Sequence, residues 1–449
     1  MEFSSIIPQF GGALTTTIAF VLALSVIVAI HEYGHYIVGR WCGIKAEVFS
    51  LGFGPVLWAR TDKHGTQWQV AALPLGGYVK FLGDADSASA GVDAETVEAM
   101  NQAQRRHTMH GAPLWARTAT VAAGPIFNFV LAVLIFAGIS IVQGKIKEPL
   151  AIGELRPSPI EEITLEPGDQ VVRIAGTEVP DWGTAGAFDA FLNDLPIEPV
   201  LDYDVVRDGR AISVAGPYPR PPVIVGLAPR SAAYSTGLKN GDVILNVDGA
   251  PLTAFSELKD IVEGSNGKEL ALDIWRAGEV LEFNLSPKRV DDRGADGSFE
   301  TQWRIGIAGG LAFEPATTSI GIGEALLSSV ARLWSVIESS LSGLYHMVTG
   351  AISSCNMSGP LGIAQVSGAM ANQGAGSFIN FIAILSAAVG LMNLFPIPVL
   401  DGGHLVFYAY EAVVRRPPSA RVMHALMSFG LIFVLGLMAF ALTNDILCP

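Results

Sequence analysis

The chain has 449 residues, of which 50% are hydrophobic and only 16% are charged, and its mean hydropathy is +0.42. Soluble domains carry about 25% charged residues, so this composition argues against an ordinary soluble enzyme. The net charge of −14 argues against a nucleic-acid-binding protein, and three cysteines exclude a disulfide-rich scaffold. Most of the acidity lies in the middle third, where residues 151–300 contain 26 Asp and Glu against 13 Lys and Arg.

Four stretches are free of Asp, Glu, Lys and Arg and long enough to supply the roughly 20 apolar residues that cross a bilayer. The first has no basic residues ahead of it and runs directly into a polar motif, unlike a cleaved signal peptide, so we expect it to be retained. In the second, Gly124 and Asn128 lie about one turn apart, which indicates a face of close helix packing, and the alternative is that the Asn128 amide bonds near the site. The sequence therefore predicts four transmembrane α-helices, within residues 3–30, 118–144, 378–400 and 422–444.

The first span ends in an H-E-Y-G-H motif at residues 31–35. His31 and His35 are one helical turn apart, so their imidazoles project from the same face, with Glu32 beside them. This is the spacing of two zinc ligands and a general base in metallohydrolases. If Arg40 marks the membrane interface, His31 lies roughly 14 Å deep at a rise of 1.5 Å per residue, where unpaired polar groups are costly. The alternative is a polar patch that is satisfied between helices.

The loop after this motif contains two candidate strands. Residues 67–73 have the pattern of a strand, and residues 75–81 are predicted to form a second strand, turned by glycine, that dips into the membrane. An extended peptide can pair with the edge of such a strand, so Gly76, Gly77 and Tyr78 are candidate substrate contacts. The alternative is that the two glycines only turn the chain.

Two segments of the acidic middle region repeat each other. Residues 165–176 align with residues 238–249, and residues 207–209 align with residues 276–278. Each copy has the alternation of a half-buried strand followed by a glycine turn. The sequence therefore predicts two related domains.

The second copy resembles the PDZ domains of bacterial periplasmic proteases, since Gly237 and Leu238 precede Gly241 and Asp242. PDZ domains bind an extended peptide as an added edge strand. The first copy has Thr164 where the second has Gly237, so the resemblance supports its fold more than peptide binding by it. The alternative is that both domains are steric covers that exclude bulky substrates.

The third span leads to Asp401, the first charged residue after Glu338. Pro396 and Pro398, just ahead of it, must break or kink the helix. Zinc catalysis needs a third protein ligand, and we expect Asp401 to lie near the cytosolic face, as the histidine pair does. The alternatives are that Asp401 only caps a helix, and that the ligand is His404, which we expect among the lipid headgroups.

The distribution of Lys and Arg predicts the orientation of the spans. Basic residues lie in the loop after the first span and in the loop before the fourth, and none lies in either terminal tail. Because cytoplasmic loops carry the excess of basic residues, we expect both termini and the acidic region outside. Residues 322–348 predict one or two helices on the outer membrane surface. Cys355 and Cys448 would also lie outside, where a disulfide can persist, but spacing leaves open whether they meet.

Four motifs in this order resemble the site-2 protease family of intramembrane zinc metalloproteases, and the resemblance covers essentially the whole chain. It implies a multi-domain membrane protein with four transmembrane α-helices, a membrane-associated β-hairpin and two tandem PDZ domains of α+β fold on the extracytoplasmic side. It also implies that His31, His35 and Asp401 bind Zn²⁺, that Glu32 is the catalytic acid and base, and that Asn393 handles substrate. The motifs are residues 31–35, 124–128, 358–365 and 393–402.

These features divide the chain into nine segments. The expected order is the first span (1–42), a cytosolic loop with a membrane-reentrant hairpin (43–113), the second span (114–144), PDZ domains at 150–220 and 221–290, a linker with membrane-surface helices (291–370), the third span (371–402), a cytosolic loop (403–421), and the fourth span with its tail (422–449).

The expected activity is hydrolysis of a peptide bond in single-span membrane proteins of a bacterial inner membrane. The resemblance implies two kinds of substrate for regulated intramembrane proteolysis, namely anti-sigma factors already trimmed on the outside and remnant signal peptides. The expected partners are these substrates and the lipid bilayer, without nucleic acid, and we expect a monomer. One alternative is a membrane-anchored PDZ scaffold with a non-catalytic zinc site. Another is a metal transporter, although transporters tend to have more spans and repeat-related sites.

Overall fold

The structure is a computed structural model that describes residues 7–84, 99–184, 186–293 and 299–448. The chain divides into two compact units. The first consists of Met1–Ile139, Gly323–Gly350 and Ser354–Pro449, and the second of Ser140–Ile322 and Ala351–Ser353. Each unit has its own hydrophobic cores.

The described residues form helices of very different lengths. In chain order they are α1 (Ile7–Trp41), α2 (Gln102–Arg105), α3 (Leu114–Gln143), α4 (Ala187–Asp194), α5 (Ala232–Thr236), α6 (Phe255–Gly264), α7 (Ile322–Val348), α8 (Pro360–Asn372), α9 (Ala375–Asn393), α10 (Asp401–Val414) and α11 (Ala420–Leu447).

The strands are short except for the first two. They are β1 (Ala46–Thr61), β2 (Gln67–Phe81), β3 (Lys145–Ile146), β4 (Ile152–Leu155), β5 (Gln170–Ile174), β6 (Thr177–Glu178), β7 (Val200–Arg207), β8 (Arg210–Pro217), β9 (Ile224–Leu227), β10 (Val243–Val247), β11 (Ala250–Pro251), β12 (Leu270–Arg276), β13 (Glu279–Leu285), β14 (Lys288–Arg293), β15 (Phe299–Arg304), β16 (Ile307–Gly309), β17 (Phe313–Pro315) and β18 (Thr317–Thr318).

Four helices of the first unit, α1, α3, α9 and α11, are long and apolar enough to cross a membrane, which confirms the four predicted spans. The third is shorter than the predicted segment 371–402, because α9 ends at Asn393. The chain is then irregular until α10 begins at Asp401. Pro396 and Pro398 lie in this break, where neither the missing N–H groups nor the rings could be fitted into a continuous helix. Most of residues 403–421, expected to be a loop, is helical in α10.

The strands β1 and β2 form an antiparallel hairpin that folds back on itself. Leu51 pairs with Gly77 on one side and with Val70 on the other, and Val70 also pairs with Trp58. The two strands therefore supply four segments, in the order 56–61, 67–71, 46–51 and 77–81. Segment 77–81 is one edge of this sheet.

The hairpin is attached to the end of α1 by aromatic packing and by one carboxylate. Tyr36 of α1 lies edge-on to Phe49 and Trp68, with ring centroids 5.9 and 5.1 Å away. The Asp62 carboxylate accepts hydrogen bonds from the Tyr36 hydroxyl, the Trp68 indole N–H and the backbone N–H groups of His64 and Thr66, at 2.8–3.1 Å. The sheet is thereby fixed to the same helix that carries the histidine pair.

The second unit contains the predicted repeat as two sheets with matching strand order, β6-β5-β7-β8 and β11-β10-β12-β13. In the first sheet, Arg207 makes a bidentate ion pair with Asp169 at 2.7 Å. In the second, Arg276 pairs with Asp242 in the same way, also at 2.7 Å. Each arginine opens a two-residue hairpin turn whose central residues have positive φ, as type I′ turns require.

The second repeat lies between two parts of the first along the chain. β16 pairs with β9, whereas β17 and β18 return to pair with β4 and β3 of the first repeat. Phe313 of β17 is 1% exposed in the core of that repeat. The expectation that residues 291–370 begin as a linker is therefore wrong for residues 299–318, because these residues complete both repeats.

The remaining parts of the first unit connect its outer segments. α7 is a single helix whose Leu333 and Val336 pack against α3 and α9. Cys355 and Cys448 form a disulfide, the pairing that the sequence left open. Asp445 of α11 accepts hydrogen bonds from the backbone N–H groups at the start of α8, at 2.9–3.0 Å.

Candidate active site

The histidine pair lies where α1 and α3 are in direct contact. A Cβ atom on Gly34 would lie 2.6 Å from the carbonyl oxygen of Ala123 in α3. A Cβ atom on Gly124 would collide with the His35 imidazole and lie 2.8 Å from Cε1 of His31. Glycine at both positions therefore lets the two imidazoles lie directly against the backbone of α3.

Three side-chain atoms converge at this point. Nε2 of His31 lies 3.2 Å from Nε2 of His35. Oδ2 of Asp401, the first residue of α10, lies 3.2 Å from the former and 3.5 Å from the latter. The structure therefore brings together the three residues that the sequence predicted as ligands, and His404 is not one of this group among the described residues.

The three atoms fit a zinc ion. Bonds of about 2.0–2.1 Å in a tetrahedral site place neighbouring ligand atoms about 3.3 Å apart, which matches the observed separations. Nδ1 of His35 lies 2.9 Å from the carbonyl oxygen of Thr120 and must donate to it, so in the neutral ring the Nε2 lone pair points at the other two atoms. Asp401 Oδ2 is buried and has no hydrogen bond to any group in the described residues. Two imidazole nitrogens and a carboxylate oxygen that converge in this way are a donor set that a zinc ion binds.

The backbone before α10 holds Asp401 in place. A Cβ atom on Gly402 would collide with the carbonyl oxygen of Phe395, and one on Gly403 would collide with that of Ile397. The first turn of α10 therefore packs directly on the irregular chain that precedes it. Asp401 is thus fixed by tight backbone packing.

Glu32 lies beside the three ligand atoms and under the edge of the β-sheet. It lines a cavity of about 360 Å³ together with His31, His35 and Asp401. A Cβ atom on Gly77 would lie 3.2 Å from Cγ of Glu32, so glycine is needed for the edge strand to approach this closely. The strand therefore forms one wall of the cavity, next to the predicted general base.

The other predicted substrate contacts divide into two groups. Gly77, Tyr78 and Asn393 line the cavity, with the Asn393 amide donating to the carbonyl oxygen of Val389 at 3.1 Å. Gly76 does not line it, and a Cβ atom there would collide with the ring of Phe53. Glycine at this position therefore lets the strand pack against that ring.

Sequence reasoning missed the role of α3 in this site. Thr120, Gly124 and Asn128 are spaced by four residues and face the histidines: the first through its carbonyl, the second through its missing side chain, and the third through an amide whose nitrogen lies 3.3 Å from Nδ1 of His31. The spacing of Gly124 and Asn128 was the available signal, and it favoured close helix packing over a contact of the amide with the site. Near the start of α3, Arg117 makes a bidentate ion pair with Glu411 of α10.

The profile of peptidase family M50 matches residues 19–437, which is most of the chain. The chain belongs to peptidase family M50, the site-2 proteases. The M50 family is zinc-dependent, so this chain is a zinc metalloprotease. With its four apolar helices it is also a membrane protein.

Relatives within the M50 family match along nearly their whole length. The regulator of sigma-E protease RseP of Salmonella typhimurium is 35% identical over 457 residues, with 95% of this chain and 97% of the relative covered. The protein of the same name from Escherichia coli is 34% identical over 454 residues, with the same coverage. A protein of Agrobacterium fabrum whose name describes a zinc metalloprotease is 35% identical over 433 residues, covering 96% of this chain and 95% of its own.

Proposed function

We propose that this M50 protease cleaves single-span membrane proteins within or at the edge of the bilayer, with His31, His35 and Asp401 as zinc ligands and Glu32 as general base. The observation that carries the proposal is the convergence of the Asp401 carboxylate of α10 on two imidazoles of α1, a helix of membrane-spanning length. Ionisable groups at that depth are costly unless they bind an ion or line a wet cavity, and here they line one.

The chemistry follows from the positions of the chain's own side chains. Zinc in a site of this kind activates water and polarises a carbonyl group. The Glu32 carboxylate takes the proton from the attacking water and delivers it to the nitrogen of the leaving amine, so that the C–N bond breaks as the amine is protonated. The wall formed by Gly77 and Tyr78 keeps the reacting bond beside Glu32.

A transmembrane substrate must be unwound before attack, because a helix occupies its own carbonyl groups in hydrogen bonds. The edge strand 77–81 can pair with an extended substrate and replace those hydrogen bonds. The Asn393 amide, which lines the same cavity, can bind a freed backbone group of the substrate. The sheet is in turn held on α1, the helix that carries Glu32.

The proposed location is a bacterial inner membrane, with both termini and the repeats outside and the active site near the cytosolic face. The basic loops support this orientation. The matched strand orders and hairpin turns support the assignment of both repeats as PDZ domains. Relatives named regulator of sigma-E protease support trimmed anti-sigma factors as substrates, with remnant signal peptides as the second class. The repeats then bind the termini of substrates or exclude bulky substrates. We propose that the protein is a monomer.

The test is cleavage by the purified protein of single-span model substrates, each made with and without a folded domain on its outer side. We expect cleavage of the substrates without the folded outer domain and slow cleavage of those that carry it. Glu32→Gln is expected to lower the rate by about 10²–10⁴-fold while zinc remains bound, because only proton transfer is lost. Zinc is counted by metal analysis of the same samples. Cleavage by Glu32→Gln at the wild-type rate would remove the role of Glu32, and bound zinc without cleavage of any substrate would favour a membrane scaffold.

A further inference from the structure

Asn128 is fully buried on α3, and the end of its side chain reaches the histidine pair on α1. Its amide nitrogen lies 3.3 Å from Nδ1 of His31, the ring nitrogen that points away from the other ligands. Its amide oxygen is buried and accepts no hydrogen bond from the part of the chain that the structure describes. A buried amide with one end against a histidine and the other end unsatisfied needs an explanation.

The explanation lies in the two orientations of the amide, which differ by a half-turn that exchanges oxygen and nitrogen. With nitrogen toward His31, Nδ1 must accept, so the neutral ring carries its proton on Nε2, between its two partners at 3.2 Å. With oxygen toward His31, Nδ1 donates, Nε2 presents its lone pair, and the unsatisfied oxygen gains its partner. Only the second orientation gives the amide oxygen a donor and leaves His31 able to bind a metal.

We infer that Asn128 is a positioning residue that accepts the Nδ1 proton of His31 and holds Nε2 toward the metal. This inference rests on the ligand set proposed above. His35 is held in the equivalent way by the carbonyl oxygen of Thr120, at 2.9 Å. Thr120 and Asn128 lie on one face of α3, two helical turns apart, so this single face orients both histidines. Partners of this kind fix the tautomer of a ligating histidine and raise metal affinity.

Helix packing alone would give a different result. A Cβ atom on Gly390 of α9 would lie 3.2 Å from Cβ of Asn128, and the Ser386 hydroxyl donates to the Asn128 carbonyl oxygen at 2.9 Å. If packing were its role, alanine at position 128 would be well tolerated, since small residues favour close helix contacts, whereas a buried carboxylate would be harmful. If positioning is its role, alanine removes the acceptor and aspartate keeps it.

The experiment measures zinc affinity of the full-length purified protein by competition with a chelator. We expect Asn128→Ala to bind zinc about 10–100-fold more weakly than the wild type. Asn128→Asp is expected to stay within a few-fold, and Ser386→Ala, which alters the same helix contact without touching His31, is expected to match the wild type. The absorption spectrum of the cobalt-substituted protein is expected to change in Asn128→Ala and to be preserved in Ser386→Ala.

Wild-type zinc affinity in Asn128→Ala, or weakest binding in Asn128→Asp, would overturn the inference. If Asn128→Ala does not fold, Asn128→Asp decides: retained affinity supports the positioning role and lost affinity contradicts it. His31→Ala separates this inference from the proposed ligand set. Undiminished zinc binding by His31→Ala would mean that the ligand set is wrong, whereas loss there with no loss in Asn128→Ala would remove only the role of Asn128.

Discussion

At the scale of single residues, the site depends on the absence of a side chain at Gly124 as much as on the side chains of the histidines and Asp401. Gly124 is the point where α3 passes the histidine pair, and any Cβ atom there would collide with His35. Since both imidazoles are also held by other groups on α3, they have no free direction in which to move. The positions of the two histidines are therefore set by α3.

Gly124→Ala is accordingly expected to lower zinc content and cleavage together, by about tenfold or more, because ligands displaced by even a fraction of an ångström bind metal poorly. The matched control is Gly138→Ala on the same helix, where a new Cβ atom would meet nothing within 4 Å among the described residues. That change is expected to be neutral or slightly stabilising, since alanine has a higher helix propensity than glycine. Metal analysis and cleavage assays check both variants. Normal zinc content in Gly124→Ala would contradict this account of the site.

The proposed zinc ligands were predictable from sequence to different degrees. His31 and His35 follow from their spacing on one helix, and Asp401 from being the first charge after a long uncharged stretch. The contacts of Thr120 and Asn128 could not be predicted, because a backbone carbonyl leaves no trace in composition and the facing of two helices is a tertiary property. The contact of Gly76 with the Phe53 ring could not be predicted for a related reason: strand alternation predicts an edge but does not show which residue another ring covers.

At the scale of elements, the edge strand is the part that the proposed mechanism needs most. Tyr78 lies in this strand opposite Ser50, and its hydroxyl accepts a hydrogen bond from the Gln69 side chain at 3.2 Å. Proline at this position would remove a backbone N–H and distort the edge, while the histidines and Asp401 lie on other elements.

Tyr78→Pro is therefore expected to slow cleavage with zinc content unchanged. Loss of one or two backbone hydrogen bonds of about 1 kcal/mol each corresponds to about a 5–30-fold fall in kcat/KM. Tyr78→Phe, which keeps the strand and removes only the hydroxyl, is expected to cleave at nearly the wild-type rate. Equal kcat/KM in Tyr78→Pro and the wild type would show that the edge does not bind substrate.

The attachment of this sheet depends on Asp62, outside the spans. Burial raises the pKa of its carboxyl, but the hydrogen bonds from Trp68, Thr66, His64 and Tyr36 outweigh burial and lower the pKa to about 2. Because an aspartate in an unfolded chain has a pKa near 3.9, the ionised group stabilises the fold above that value. This stabilisation is lost as the pH falls from about 4 through about 2.

Asp62→Asn is thus expected to lower the thermal unfolding temperature at pH 7, by about 2 °C. The difference from the wild type is expected to narrow between pH 4 and pH 3, since Asp62 takes up a proton in the unfolded wild type there while the folded protein keeps it ionised. Unfolding curves of both proteins at several pH values measure it. A difference that stays constant over this range would mean that the charge of Asp62 contributes nothing.

At the scale of the whole chain, local patterns predict helices better than they predict how distant strands pair. The four spans follow from hydropathy, and the break before Asp401 follows from two prolines. The return of β17 to the first repeat could not be predicted. β17 has only three residues and pairs with a strand far away in sequence, so it carries no periodic signal. The expected boundary between the two domains at residue 220 therefore separates β17 from the repeat that it completes.

This arrangement gives the last prediction, which concerns the second unit expressed alone as residues 140–322. Phe313 is 1% exposed in the core of the first repeat although it follows the second repeat in sequence. Phe313→Ala is expected to destabilise that repeat by about 3–5 kcal/mol, the cost of a cavity left by a buried ring, which lowers its unfolding temperature by about 10 °C. Val280→Ala, at a side chain 60% exposed on β13, is expected to leave both repeats unchanged. A fragment of residues 150–220 lacks Phe313 and is expected to remain unfolded by circular dichroism. Independent folding of that fragment would show that the first repeat does not need the returning strand.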